Sequence, residues 1–471
     1  MNDDLASYWY SRFLFERGLA LVYLIGFIIV VNQFVPLLGE RGLQPVPRFV
    51  EAVPFRASPS LFFLHPTDAA FRVAGWIGLL LSLVALTGLV QHRSAVAAAV
   101  VWALLWLLYL SFVNVGQTFY AFGWESLLLE AGFFTIIAGA GTTAPSTILN
   151  WIYRWTLFRL MFGAGLIKLR GDPCWRDLTC LDYYFETQPI PNPLSWYFHW
   201  LPRSVLHGGV AFNHFVELIV PFGYFLPQPF AGIAGLITIV FQLTLIVSGN
   251  LSWLNWLTIV LAFTTLDHRF LSWLPVSVPA LRPMPPVQRV AIYVLAVVVA
   301  LLSVAPTLNM LSPNQAMNMS FNPLHIVNTY GAFGSITRQR HEIVIEGTHD
   351  ASGQSGWREY EFKGKPGDPG RRPRQYAPYH LRLDWLMWFA ALSPGYAQTW
   401  FTRLVWKLLE GDESTLRLLR HNPFPDAPPV MVRARFYRYR FTTWEERRRD
   451  GAWWHRDLAG EYMRPVGLAD H

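Results

Sequence analysis

The chain has 471 residues, 53% apolar and 15% charged, a balance too greasy for an ordinary soluble protein and suited to several membrane spans. Its net charge of +7 comes from basic residues scattered among acids, tryptophans and prolines, which argues against a nucleic-acid partner and for contact with a lipid bilayer. Two cysteines exclude both a disulfide framework and a four-cysteine zinc site.

The start, MNDDLASYWYSRFLFERG, lacks a short apolar core with a small-residue cleavage site, so no removed signal peptide is expected. Residues 5–17 mix aromatics with Arg12, Glu16 and Arg17, which suits an interfacial helix leading into a first span over 18–38. The proline- and aromatic-rich stretch 41–68 is too apolar for a free linker and is expected to lie on the membrane surface. Further spans are expected over 73–90, 95–112, 125–140, 151–169, 207–226, 230–247, 251–266 and 287–304, giving about nine. An α-helical polytopic membrane domain over 1–312 is therefore expected, followed by a smaller soluble α+β domain over 313–471.

Residues 151–191, WIYRWTLFRLMFGAGLIKLRGDPCWRDLTCLDYYFETQPIP, organise the rest. Lys168 is the only lysine in the first 312 residues and follows the small cluster Gly163-Ala164-Gly165. A cation at membrane depth normally faces the bundle interior and a partner; one near a helix end can instead reach the headgroups. If Lys168 points inward, Glu217 is the favoured partner and Glu130 the second. Both acids also read as ordinary helix-packing or interfacial residues. Cys174 and Cys180 either close a small ring worth about 2 kcal/mol or are two buried free thiols.

The positive-inside rule hardly decides orientation, because arginines fall about equally on both sides. Placing the two cysteines on the oxidising side selects a cytoplasmic N-terminus and a periplasmic or lumenal C-terminal domain, in a bacterial inner membrane or the endoplasmic reticulum membrane. In that domain, 341–347 and 357–364 alternate like an antiparallel pair, and 430–441 alternates with a face switch in its arginines. Stretches 381–392 and 397–410 read as helices. Most of the tryptophans in this domain are expected in its core, with Trp385, Trp388, Trp453 and Trp454 as candidate contacts with the membrane or a client.

A nucleophile elbow, a zinc-protease helix, a P-loop and a dinucleotide fingerprint are all missing, so cofactor use stays unknown. His214 and Glu217 form a single reversed pair, short of a dimetal carboxylate site, and no metal is expected. Asn250-Leu251-Ser252 and Asn318-Met319-Ser320 match the glycosylation sequon.

Long stretches of the chain resemble the lipase maturation factors: VGQTFYAFGWESLLLEAGF, RWTLFRLMFGAGLIKLRGDPCWRDLTCLDYYFETQPIPNPLSWYFHWLP, IVNTYGAFGSITRQRHEIVIEG and LLRHNPFPDAPPVMVRARFYRYRF. The resemblance implies a multi-pass membrane protein that assists maturation of an exported protein, a lipase in animals, and that is not itself a lipase. GLIKLRGDPCW and HGGVAFNHFVELIVPF are also similar to the transmembrane domain of vitamin-K-dependent gamma-carboxylases. That likeness puts Lys168 at the intramembrane base and implies an alternative, an intramembrane enzyme with Lys168, Glu217 and Glu130 as candidate catalytic residues. Where the carboxylase has a histidine in an Asn-His-Ser run, this chain has Gly116-Gln117-Thr118, and a scaffold can be inherited without its chemistry.

Overall fold

A computed structural model describes residues 7–470; residues 5 and 6 of the expected interfacial helix lie outside the described residues. Helices form on each of the expected apolar stretches. They are α1 (Trp9–Leu38), α2 (Asp68–Thr87), α3 (Ala95–Asn114), α4 (Gly123–Thr135), α5 (Thr147–Arg170), α6 (Arg203–Gly223), α7 (Phe230–Ser248), α8 (Leu254–Ala262) and α9 (Pro286–Leu311).

Among the described residues, six of these (α1, α2, α3, α6, α7 and α9) are long and apolar enough to cross a membrane by length and composition, so the expected count of nine is not confirmed. Helix α4 has 13 residues and α8 nine, too short for a hydrocarbon core of about 30 Å at 1.5 Å per residue. Their apolar composition reflects burial in protein: every residue from Gly123 to Gly132 is buried. Helix α5 has 24 residues but carries Arg154, Arg159, Lys168 and Arg170. It nevertheless runs the depth of the bundle. Its first turn lies beside the end where Trp9 and Arg12 donate to the carbonyls of Gly141 and Thr143, and Arg170 in its last turn donates to Gln315, at the start of the C-terminal part.

Local chemistry sets the helix ends. Thr67, Ser94 and Ser146 accept the amides of Ala70, Ala97 and Leu149, capping α2, α3 and α5. Small residues then set the packing. A Cβ on Gly78 of α2 would sit 2.1 Å from the Phe27 ring of α1, so the two helices touch because that side chain is missing.

The C-terminal part is a four-stranded antiparallel sheet in the order β2-β1-β3-β4, from β1 (Arg340–Thr348), β2 (Arg358–Glu359), β3 (Met431–Phe441) and β4 (Trp454–Gly467). Strand β2 pairs through two residues only, shorter than its alternation suggests. Register shifts between Val432 and Tyr437 mark irregular pairing with β4, where the arginines of β3 change face. Helices α10 (Arg382–Leu392) and α11 (Phe401–Leu409) lie between β2 and β3 in the chain.

The sheet domain is joined to the membrane helices by buried charge. Arg382 of α10 meets Glu125 of α4 at 2.8 Å, both fully buried, and Gln33 of α1 donates to the carbonyl of His380. Arg340 of β1 donates to the carbonyls of Glu186, Gln188 and Pro189 in the loop after α5. The segment 313–339 enters the bundle rather than linking two separate bodies: the Tyr330 carbonyl lies where a Cβ on Gly163 would stand 2.7 Å away.

Candidate functional site

Lys168 points into the bundle. Its ammonium lies 2.5 Å from Glu217 Oε1 and 3.4 Å from Asn213 Oδ1, and Asn213 donates to Glu217 Oε2 at 3.0 Å. The Trp175 ring centroid is 5.2 Å from Nζ. Both charges are therefore matched and hydrogen-bonded, the condition for keeping an ion pair where water is scarce. The sequence reason is local. A Cβ on Gly165 would stand 2.7 Å from Leu218 and 3.0 Å from the Glu217 Cβ, so this glycine lets α6 come close at the turn that carries Glu217. That turn is also widened. Phe215–Ile219 is π-helical, and Pro221, four residues past Glu217, has no N–H to return to that carbonyl.

Glu130 belongs elsewhere, which corrects its place as a second partner for Lys168. It forms an ion pair with Arg159 of α5 and accepts from Thr156 at 2.8 Å. It also accepts from the Asn328 amide and side chain and from the Tyr330 hydroxyl. A carboxylate so fully engaged, with no exposure, has a packing role.

Beside the Lys168 pair lies a cavity of about 620 Å³, within the range of small-ligand sites. Leu160, Met161, Leu245 and Leu254 line its membrane part, while Trp175, Tyr184, Phe333, Trp385, Trp388 and Tyr396 line the side toward the C-terminal domain. Asn255 and Gln242 face it and bond each other at 2.7 Å. Asn213, Trp175, Gln242 and Asn255 were not singled out by sequence reasoning. Asn213 could have been, since it stands one helical turn before Glu217.

The polar loop caps this cavity. Cys174 and Cys180 form a disulfide, with Cα atoms 4.8 Å apart. Trp175 Nε1 donates to the carbonyl of Phe333, and Arg338 grips Asp172 at 2.6 and 3.0 Å. Those hydrogen bonds from Arg338 hold the Asp172 carboxyl below its ordinary range. The loop thus touches the chain leading into β1, so loop and sheet lie at the same end of the bundle.

The candidate contact tryptophans are corrected in part. Trp385, Trp453 and Trp454 are buried, at 4%, 6% and 2% exposure, and do not offer an outward surface. Trp453 lies under the Arg447 guanidinium and beside Trp196; Trp454 stacks on Phe441. Trp388 is half-buried and donates to the carbonyl of Thr187. Gln117 and Thr118 bond to Gln44 and do not line the cavity. His214 bonds the carbonyl of Trp175. Of the sequons, Asn250 is buried and holds the backbone of Pro191, Arg374, Tyr376 and Ala377, whereas Asn318 is exposed.

Bundle, capped cavity and sheet together define an integral membrane protein whose interior ion pairs tie a folded C-terminal domain to its helices. The model of the lipase maturation factor transmembrane domain matches residues 10–273, and that of the lipase maturation factor C-terminal domain matches 326–464. The chain is 42% identical to lipase maturation factor 1 of Bos taurus over 98% of its own length and 90% of that protein. It is equally identical to the Homo sapiens protein of that name, over 98% and 89%. Lipase maturation factor 2 of Homo sapiens is 28% identical over 98% of this chain and 83% of its own. The chain belongs to the lipase maturation factor family. No solved structure matches it.

Proposed function

We propose that this protein is a membrane-embedded maturation factor that assists the folding of an exported protein, with a lipase as client. The observation that carries the reading is the match to both family domains and to relatives named for lipase maturation over nearly the whole chain. A second proposal concerns placement: the N-terminus is cytoplasmic, and residues 313–471 lie in the periplasm or lumen. Two features support it. The start of α1 and the sheet lie at opposite ends of α5, and the disulfide-bearing loop, which needs an oxidising compartment, packs against the chain entering the sheet.

The test is complementation. Animal cells deprived of their lipase maturation factor, then given this chain, are expected to regain secreted lipase activity. Unchanged secretion, with the chain expressed and its disulfide formed, overturns the client. Reporter fusions after Ser312 that are active in the cytoplasm overturn the placement.

A further inference from the structure

We propose that the cavity beside Lys168 binds an anionic acyl lipid, its head at Arg170 and its chain among Leu160, Met161 and Leu254. The inference rests on the cavity's geometry and goes beyond the maturation reading. Charge comes first. The charged residues lining the cavity are Lys168, Arg170 and Glu217. Lys168 and Glu217 cancel each other at 2.5 Å. Arg170 gives one nitrogen to the carbonyl of Met310 and to Gln315 Oε1, at 2.7 and 2.8 Å, and no carboxylate among the described residues pairs with it. The cavity therefore carries one uncompensated positive charge, with guanidinium N–H groups left for a further acceptor.

Polarity along α5 gives the ligand its direction. Arg170 sits at the loop end of the helix, and Leu160 lies ten residues earlier, about 15 Å deeper at 1.5 Å per residue. Head at the surface and chain toward the midplane is the order of a lipid in a leaflet. Met317, Leu392 and Tyr396 line the cavity and are 49%, 39% and 53% exposed, so its rim on the side of the C-terminal domain is apolar and open.

An acyl chain also suits the cavity better than a polypeptide does. Each peptide unit brings a donor and an acceptor that need partners once buried. The polar side chains here are largely used on one another: Asn255 with Gln242, and Asn213 and Lys168 with Glu217. A hydrocarbon makes no such demand.

The experiment is saturation binding to the full-length protein in neutral detergent, using radiolabelled oleate, oleoyl-lysophosphatidate and oleoyl-lysophosphatidylcholine. One anionic lipid per protein is expected, with the zwitterionic lipid at least about tenfold weaker. Preference for oleate or for lysophosphatidate then distinguishes a carboxylate head from a phosphate. Arg170→Gln is expected to weaken binding about tenfold, and Ala164→Trp, which sets an indole ring in the path of the acyl chain, to weaken it at least as much. Disulfide formation and melting temperature report folding; if Arg170→Gln does not accumulate, Ala164→Trp decides alone. Binding unchanged by Ala164→Trp, or no saturable binding of either anionic lipid, overturns the proposal. So does an apolar peptide that binds at a site blocked by Ala164→Trp when neither lipid does. Each readout is direct binding, so it stands or falls apart from lipase secretion.

Discussion

Lys168 is 6% exposed and Glu217 4%, so neither charge can turn to water when its partner is lost. Removing one member of such a pair typically costs about 3–5 kcal/mol, whereas replacing both by apolar groups is often neutral. Lys168→Met is therefore expected to lower thermal stability in detergent sharply, and Lys168→Met/Glu217→Leu to restore most of it. A stable Lys168→Met protein that no longer supports client maturation would move the residue from packing to chemistry or binding. A second residue gives a pH dependence. Burial, opposed by Asp182, holds the His199 imidazole down at about 4, with Glu186 3.8 Å away and Phe441 against its ring. The folded state thus prefers neutral His199. Its contribution is complete above the unfolded value of about 6.5 and is lost as pH falls toward about 4. Glu186, raised by burial, works in the opposite sense but titrates from the carboxylate range upward. Burial lowers His325 and His380 in the same sense, so melting temperature is expected to fall between pH 7 and pH 5, and His199→Gln to reduce that slope by its share; an equal slope in the variant would remove His199 as a contributor.

The approach of α5 to α6 depends on a missing side chain. With a Cβ 2.7 Å from Leu218 and 3.0 Å from the Glu217 Cβ, Gly165→Ala must push α6 outward at the turn that holds Glu217. Overpacking of this kind costs about 1–3 kcal/mol, and the Lys168 pair should lengthen with it. A Gly165→Ala protein with unchanged melting temperature would show that α6 yields freely. This contact was legible in the sequence because a lone lysine beside Gly-Ala-Gly needs both a partner and room for it. The partner of Glu130 was not legible. Arg159 lies on the same helix as Lys168, and Asn328 and Tyr330 come from a segment about 200 residues away. Strand β4 also escaped the pattern, since most of it is exposed or half-exposed and Gly460 and Pro465 interrupt it. Most of the C-terminal tryptophans are core, as expected, but which of them face outward was not legible, because counting aromatics gives apolar area and not the side on which it is buried.

Seen as a whole, the molecule is less divisible than its composition suggests. The change from few charges to many near residue 313 reads as a domain boundary. Yet the chain beyond it supplies the buried partners of two membrane-domain carboxylates. Glu125 meets Arg382, and Glu130 accepts from Asn328 and Tyr330 as well as from Arg159. Arg170, Gly163 and Gly171 are likewise contacted by Gln315, Tyr330 and Gly334. Truncation after Ser312 would strand Glu125 without its cation and strip Glu130 of three hydrogen bonds. A buried charge left unpaired costs several kcal/mol, against a typical total stability of about 5–15 kcal/mol. The 1–312 fragment is therefore expected to be degraded or to misfold, and co-expression of 313–471 as a separate chain to rescue it in part. Pulse-chase measurement of the fragment, alone and with its complement, decides the matter. A long-lived fragment with its Cys174–Cys180 disulfide formed would mean that the helices fold first and the sheet docks on a finished surface.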